Sequence, residues 1–391
     1  MPKLSKNNKF WLSISHKCNN QCIFCHDKDN QVKGRFMALD EVRAEIVQAK
    51  KEGYQRLILS GGEASINPDF LQIVKYAHDL GFAEIQTITN GRYFYYPKFV
   101  DEAVNAGLTE ITFSLHGHTE ELHDGFTGIK GSFKQALTGL ANVRHYPNVI
   151  VNIDIVINKL NYKQLYDIIL FYAQNFGVYE FDLLQVVPFG RAWENRDKLF
   201  YDLNEAKPYL DKIWELAKND QRFHIWTNRF PAQYLEGYEF LIQDPNKNFD
   251  DVLGRKKMFE EFINEGKLMP CLNQKRCEYC NLNDFCQKLI ALSRGNLKDN
   301  LEELTVAPVC HDLNQNNHEI DFLNEQNKID LEKFIDFYLN YLNNVKSLRC
   351  EECKNFKNCN GLDVNIIKEK GFKILKPISV TGDITADLQS A

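Results

Sequence analysis

Eleven cysteines fall into three groups in this chain of 391 residues. Cys18, Cys22 and Cys25 form C-x3-C-x2-C inside "HKCNNQCIFCHDK". The stretches "RCEYCNLNDFC" (276–286) and "RCEECKNFKNC" (349–359) share R-C-E-x-C-x5-C, and each has one cysteine upstream, Cys271 and Cys310. The second and third groups are therefore Cys271, Cys277, Cys280, Cys286 and Cys310, Cys350, Cys353, Cys359, with none left over. Thiolates suit soft metals, with iron–sulfur cubanes and structural zinc the usual occupants. Four thiolates close either kind of site, so spacing alone leaves both open for the later groups. Three thiolates on a cubane leave one iron free for a substrate or cofactor.

The bulk numbers set the surroundings of this chemistry. Net charge is −6, which gives no basic footprint for nucleic acid. No apolar run approaches the ~18 residues of a membrane span, and "MPKLSKNNKF" does not read as a signal peptide. A cytoplasmic chain is expected, where disulfides are rare and clustered cysteines point to metal or catalysis.

The elements that must position these thiols follow from periodicity. From residue 9 to about 218, strand-like runs alternate with helical patterns: "KFWLSIS", "RLILSGG", "EIQTITNG", "EITFSLHG", "VIVNIDIVI" and "EFDLLQVVP". Leu39, Val42, Ile46 and Ala49 mark one helical face, and Leu165, Ile168, Tyr172 and Phe176 another. Asn67-Pro68 reads as an N-cap with proline at the first helical position. Six β/α units predict an α/β fold, a partial (β/α)6 TIM-like barrel, with an open doubly wound sheet as the alternative.

Past residue 218 the alternation stops, and a Cys-rich, mostly helical and loop C-terminal extension is expected. The division reads as 1–218 for the barrel, 219–300 for a linker and the first auxiliary cysteine set, and 301–391 for the second set. A helix begins near Asp330, and the polar end "TGDITADLQSA" is expected to be loose.

The first group, with Phe24 before its last cysteine, resembles the signature of the radical S-adenosylmethionine enzymes. Motifs at successive strand ends extend the resemblance over about residues 9–218. "SGGEAS" (60–65) resembles the family's GGE motif, with Ala64 where proline is usual. The resemblance implies a [4Fe–4S] cluster on Cys18, Cys22 and Cys25 whose open iron binds S-adenosylmethionine. It implies that Phe24, Gly61, Gly62, Glu63 and Thr89 lie by the cluster and the methionine moiety. Ser114 and Asn152 would contact ribose or carboxylate, and backbone near Val187 would read adenine. The C-terminal half is similar to SPASM and twitch extensions, which implies two auxiliary [4Fe–4S] clusters, although neither copy continues with the x3-C of that pattern.

What the resemblance implies about reaction is oxidative: a radical from S-adenosylmethionine takes a substrate hydrogen, and fully ligated auxiliary clusters accept the electron. The expected substrate is a ribosomally made peptide, crosslinked through a thioether or C–C bond. Two alternatives stand beside it: a small molecule or nucleoside in cofactor or metabolite biosynthesis, and a non-enzymatic zinc-ribbon scaffold. A flavodoxin or ferredoxin is the expected electron donor. With 17 residues before Cys18, leader recognition is expected from a separate leader-binding protein or the C-terminal half. Arg92, His116, His118, Asp154 and Arg191 follow or lie on strand ends and are the candidate substrate contacts. For each, a hydrogen-bonded loop residue or a solvated charge is the competing reading.

Overall fold

The computed structural model describes residues 9–28, 34–272, 274–294, 297–305, 310 and 320–379. The chain divides into two compact units, Met1–Asn228 and Arg229–Ala391.

In the first unit, strands and helices alternate. They run β1 (Lys9–Ser15), α1 (Leu39–Lys51), β2 (Arg56–Gly61), α2 (Phe70–Asp79), β3 (Glu84–Thr89), α3 (Pro97–Asn105) and β4 (Glu110–Ser114). After β4 come α4 (Glu120–Thr127), α5 (Ser132–Val143), β5 (Ile150–Ile157), α6 (Leu165–Phe176) and β6 (Glu180–Gln185). Last come α7 (Gly190–Glu194), α8 (Leu203–Asn219) and β7 (His224–Asn228). The strands form one sheet in chain order, each neighbouring pair parallel. The expected α/β class with a TIM-like parallel arrangement holds, and the sheet has a seventh strand beyond the six read from sequence. That strand, "HIWTN", is only five residues long and alternates exposed with buried positions, a weak signal directly after a long helix.

The two faces of the sheet differ in chemistry. On the helix side Leu12, Ile14, Leu57, Leu59, Ile85, Ile111, Phe113, Ile153, Ile155, Phe181 and Leu183 are buried. Val42, Ile46 and Ala49 of α1 and Leu165, Ile168 and Tyr172 of α6 are buried as well, as their spacing predicts. Each large side chain so buried contributes about 1.5–3 kcal/mol to holding the helices on the sheet.

The opposite face, inward in a TIM-like arrangement and called the lumen, is mostly polar. Register puts Trp11, Ile58, Gln86, Glu110 and Ile150 in one row. Ile88, Thr112 and Asn152 align above them, and Ser114, Asp154, Asp182 and Trp226 above those. From the row below, Arg56 reaches up to this first row, donating to Gln86 Oε1 at 2.9 Å and Glu110 Oε2 at 2.6 Å. Burial pushes the Glu110 carboxyl up, and the Arg56 guanidinium opposes that shift.

One helix start differs from the expectation. α2 begins at Phe70, not at Pro68. Asn67 instead closes a short 3-10 turn and accepts from the Asp69 N–H at 2.9 Å, while its amide donates to Ile14 O at 2.8 Å. The side chain that would cap the helix thus fastens the loop to β1.

The second unit has its own aromatic core. Phe285 of α11 (Asn283–Ser293) packs against Phe259 of α10 (Lys256–Glu265) and Phe334 of α13 (Leu331–Phe337), with ring centroids 5.5 and 5.3 Å away. (Helices α9, Asn246–Leu253, α12, Leu297–Leu304, and α14, Val364–Lys370, follow in the same order.) Asp330 caps α13 by accepting from the Lys333 N–H at 3.0 Å, which fits the helix start read from sequence. Strands β8 (Asn344–Val345) and β9 (Leu362–Asp363) form a small antiparallel ladder. The polar end "TGDITADLQSA" lies outside the described residues.

Candidate iron–sulfur and S-adenosylmethionine site

The loop carrying Cys18, Cys22 and Cys25 follows β1 and is held from several sides by distant parts of the first unit. The Glu63 N–H donates to Lys17 O at 2.9 Å. The Gln21 and Ile23 N–H groups donate to Thr127 O and Phe126 O at 2.8 and 2.9 Å, tying the loop to α4. From α7 the Arg191 N–H reaches Cys25 O at 2.8 Å, and just beyond α7 the Asn195 amide reaches Ile23 O at 3.0 Å. Gly61 and Gly62 are required by these approaches. Gly61 has φ 126°, and a Cβ on either would collide with the Ser15 or Lys17 carbonyl oxygen. Gly190, not singled out from sequence, does the same beside the carbonyls of Cys25 and His26.

The three thiols are gathered and half-buried. Each lies close enough for its charge to act on another, since Cys22 feels both Cys18 and Cys25. Burial, with a smaller contribution from Glu63, pushes the Cys18 thiol up to about 11. Burial pushes Cys22 further still, against the nearby Arg191 charge. Such thiols ionise only when a positive centre takes the sulfur, so the donor set fits a soft metal cluster. Phe24 supports the loop from below, its ring edge-on to His116 at 4.7 Å.

Glu63 and Thr89 meet at the ends of β2 and β3. Glu63 Oε1 accepts from Thr89 Oγ1 at 2.6 Å, Ser65 Oγ at 2.6 Å and Ser65 N at 3.1 Å. Its Oε2 accepts from the Asn90 N–H at 2.6 Å. Burial pushes this carboxyl up, and the four donors pull the other way. Ser114 and Asp154 are register partners at the upper edge of the sheet. Asn152 is not with them: it lies one row lower and donates to Glu110 Oε1 at 2.8 Å. Val187 follows β6, where its carbonyl accepts from the Phe189 N–H at 2.8 Å in the turn entering α7.

The candidate substrate contacts separate into distinct kinds. Arg92 turns to the cysteine loop: it donates to Asn19 O, to Asn20 Oδ1 at 2.9 Å and to Gln135 Oε1 at 2.7 Å. His116 is buried, and its Nδ1 accepts from the Val156 N–H at 3.1 Å. Burial holds His116 well below the usual imidazole range, and the neighbouring His123 is held down to about 4 by the same cause. His118 sits beside the Phe171 ring. Arg191 lies near Cys22. Asp154 lies on the lumen face of β5, where it pairs in register with Asp182, a residue that sequence reading missed. The alternation of β6 carries the signal for Asp182, once its neighbour's register is known.

In the second unit the remaining cysteines lie near one another in two sets. Cys286 feels Cys280, Cys271 and Cys277, and burial pushes its thiol up to about 12. Cys350 likewise feels Cys310, Cys359 and Cys353. The repeated R-C-E-x-C segments fold alike. Each opens with a 3-10 turn, Lys275–Tyr279 or Leu348–Glu352, and the second cysteine N–H donates to the first cysteine carbonyl at 3.1 or 2.9 Å. Among the described residues, no three Cys, His, Asp or Glu side chains close around a single-ion position. A cavity of about 570 Å³ is lined by Cys277 and Cys280 from one set, Cys359 from the other, and Lys288 and Tyr338.

A parallel β/α sheet whose first loop gathers three thiols beside a GGE turn defines a radical-generating iron–sulfur class. Residues 12–172 match the profile of the Radical SAM superfamily, so the first unit carries a radical SAM domain. It is 28% identical over 217 residues to a protein named "Probable GTP 3',8-cyclase" from Saccharolobus islandicus strain M.14.25, covering 55% of this chain and 68% of that protein. It is 24% identical over 262 residues to a protein of the same name from Sulfurisphaera tokodaii, covering 67% and 80%. A solved chain described as native anSMEcpe with bound AdoMet and Cp18Cys peptide aligns with TM-score 0.47 and 14% identity over 93% of this chain and 95% of that one. Native anSMEcpe with bound AdoMet aligns with TM-score 0.44 and 14% identity over 56% of this chain and 63% of that one. Among the described residues, no helix is long and apolar enough to cross a membrane.

Proposed function

We propose that this enzyme takes a hydrogen atom from a small polar molecule of nucleoside type seated in the lumen of the first unit. The observation that carries this reading is the lumen face itself. Thr112, Ser114, Asn152, Asp154 and Asp182 turn hydrogen-bonding groups to it, in contrast to the apolar face under the helices. The relatives named for a GTP cyclase support a small-molecule substrate over the peptide expected from sequence. Arg56, a cation on this face, already pairs with Glu110 and Glu84 at 2.6 and 3.3 Å, so the lumen suits the neutral part of such a molecule better than its phosphates.

When bound to Cys18, Cys22 and Cys25, the cluster and S-adenosylmethionine together supply a 5′-deoxyadenosyl radical able to abstract hydrogen from carbon. The chain's own residues do the positioning. Gly61 and Gly62 let backbone close over the loop, and Glu63, fixed by four donors, offers a carboxylate toward an ammonium group. Phe24 and the buried His116 pack ring against ring beside the loop and hold it in place. The eight cysteines of the second unit would hold two auxiliary [4Fe–4S] clusters, which would supply an electron acceptor. Peptide maturation, with a separate leader-binding protein, remains the second reading because the doubled C-x2-C-x5-C favours it. A flavodoxin or ferredoxin supplies the reducing electron.

The test is anaerobic reconstitution followed by a reductant-driven assay with deuterated guanosine nucleotides, nucleosides and peptides in parallel. Deuterium reaching 5′-deoxyadenosine from a nucleoside-type compound supports the proposal. Transfer from peptides alone moves the assignment to peptide maturation. Zinc in place of iron, without cleavage, overturns both.

A further inference from the structure

We infer that Asn90 is a positioning residue that donates to the Cys18 sulfur and thereby raises the reduction potential of the cluster held by the first cysteine group. Asn90 follows β3 and is 8% exposed. Its Nδ2 donates to Asn19 Oδ1 at 2.6 Å and lies 3.9 Å from Cys18 Sγ, at the long end of contact with sulfur. The orientation of the amide is fixed, because Oδ1 accepts from the Arg92 N–H at 3.0 Å. A second donor, the Asn20 N–H, reaches the same sulfur at 3.4 Å.

The physical consequence follows from charge. Reduction adds an electron to an already anionic cluster, and N–H dipoles aimed at its sulfurs stabilise the added charge. Asn90 also links two parts of the site, since its backbone N–H holds Glu63 Oε2 while its side chain points at Cys18. Truncating the side chain removes the sulfur donor and leaves the backbone bond to Glu63 in place. The two roles are therefore separable by mutation.

The inference rests on the first cysteine group holding the cluster that binds S-adenosylmethionine. Full-length protein is reconstituted anaerobically, and the reduced signal that changes on adding S-adenosylmethionine is followed by electron paramagnetic resonance during potentiometry. Asn90→Ala is expected to move that signal's midpoint to a more negative potential. Asn90→Asp, which presents an acceptor where the amide presented a donor, is expected to move it further. Iron per chain is measured alongside, so that poor loading is not mistaken for a shift. Should Asn90→Ala fold poorly, Asn90→Gln, which retains a donor, must lie between wild type and Asn90→Asp. Midpoints equal to wild type in well-loaded variants overturn the inference and leave the enzyme class untouched. A wild type with no signal responsive to S-adenosylmethionine overturns both.

Discussion

The Arg191 N–H donates to the carbonyl of Cys25 at 2.8 Å, fastening the entry of α7 to the end of the first cysteine loop. A loop that must present three sulfurs to one cluster is thus fixed by groups far away in sequence. Order in the loop is set by the fold, and the cluster meets sulfurs already in place.

Cys25→Ala is expected to abolish S-adenosylmethionine cleavage while the first unit stays folded. Removing one of three thiols leaves the cluster without its ligand set, whereas the loop's backbone bonds remain. The check is 5′-deoxyadenosine formation beside far-ultraviolet circular dichroism. Turnover by a well-folded variant would falsify the assignment of the first group.

Gly62→Ala is expected to lower cleavage by on the order of a hundredfold, the scale of a ~1 Å displacement at a reacting site. The added Cβ collides with the Lys17 carbonyl, so the loop must retreat from the β2 turn. Overpacking of this kind also costs about 1–3 kcal/mol of stability. Rates and melting curves of the variant close to wild type would show that the approach is not needed.

His123 should make stability fall as pH drops. Its folded value is lowered to about 4 by burial, against the ordinary 6.5. Between these values the unfolded chain binds a proton that the folded chain refuses, so the contribution is present above about pH 6.5 and is lost toward pH 4. The full effect is about 3 kcal/mol at ~1.4 kcal/mol per unit. Urea unfolding of wild type and His123→Phe at pH 7 and 5 checks it. Equal losses in both proteins would remove His123 as the cause.

Cys353→Ala is expected to lower iron from about 12 per chain, the content of three cubanes, toward about 8. S-adenosylmethionine cleavage in the first unit should persist. Iron and sulfide analysis with the 5′-deoxyadenosine assay decides this, and unchanged iron would show that Cys353 is not a ligand.

Much of the architecture is legible in the sequence because its signals are local. "SGGEAS", "TITNG" and "FSLHG" carry glycine and polar residues at strand ends, and the structure ends β2, β3 and β4 at Gly61, Thr89 and Ser114. What stays hidden depends on register. Asn152 and Asp154 are two apart on one face of β5, and periodicity cannot say which one reaches the upper row beside Ser114. Arg92 reads as a mouth residue until Asn19, Asn20 and Gln135, from two other elements, are brought to its guanidinium. Strand β7 escapes because five alternating residues on an exposed sheet edge resemble many loops.

Edge strands β1 and β7 each carry an exposed tryptophan, Trp11 at 49% and Trp226 at 57%, on the lumen face of the sheet. The chain has four tryptophans, and of the other two Trp214 is fully buried. The unlabelled protein therefore carries its own optical probes at both sides of the lumen. Emission from these two indoles should register whatever enters the lumen, before any chemistry and without a reductant.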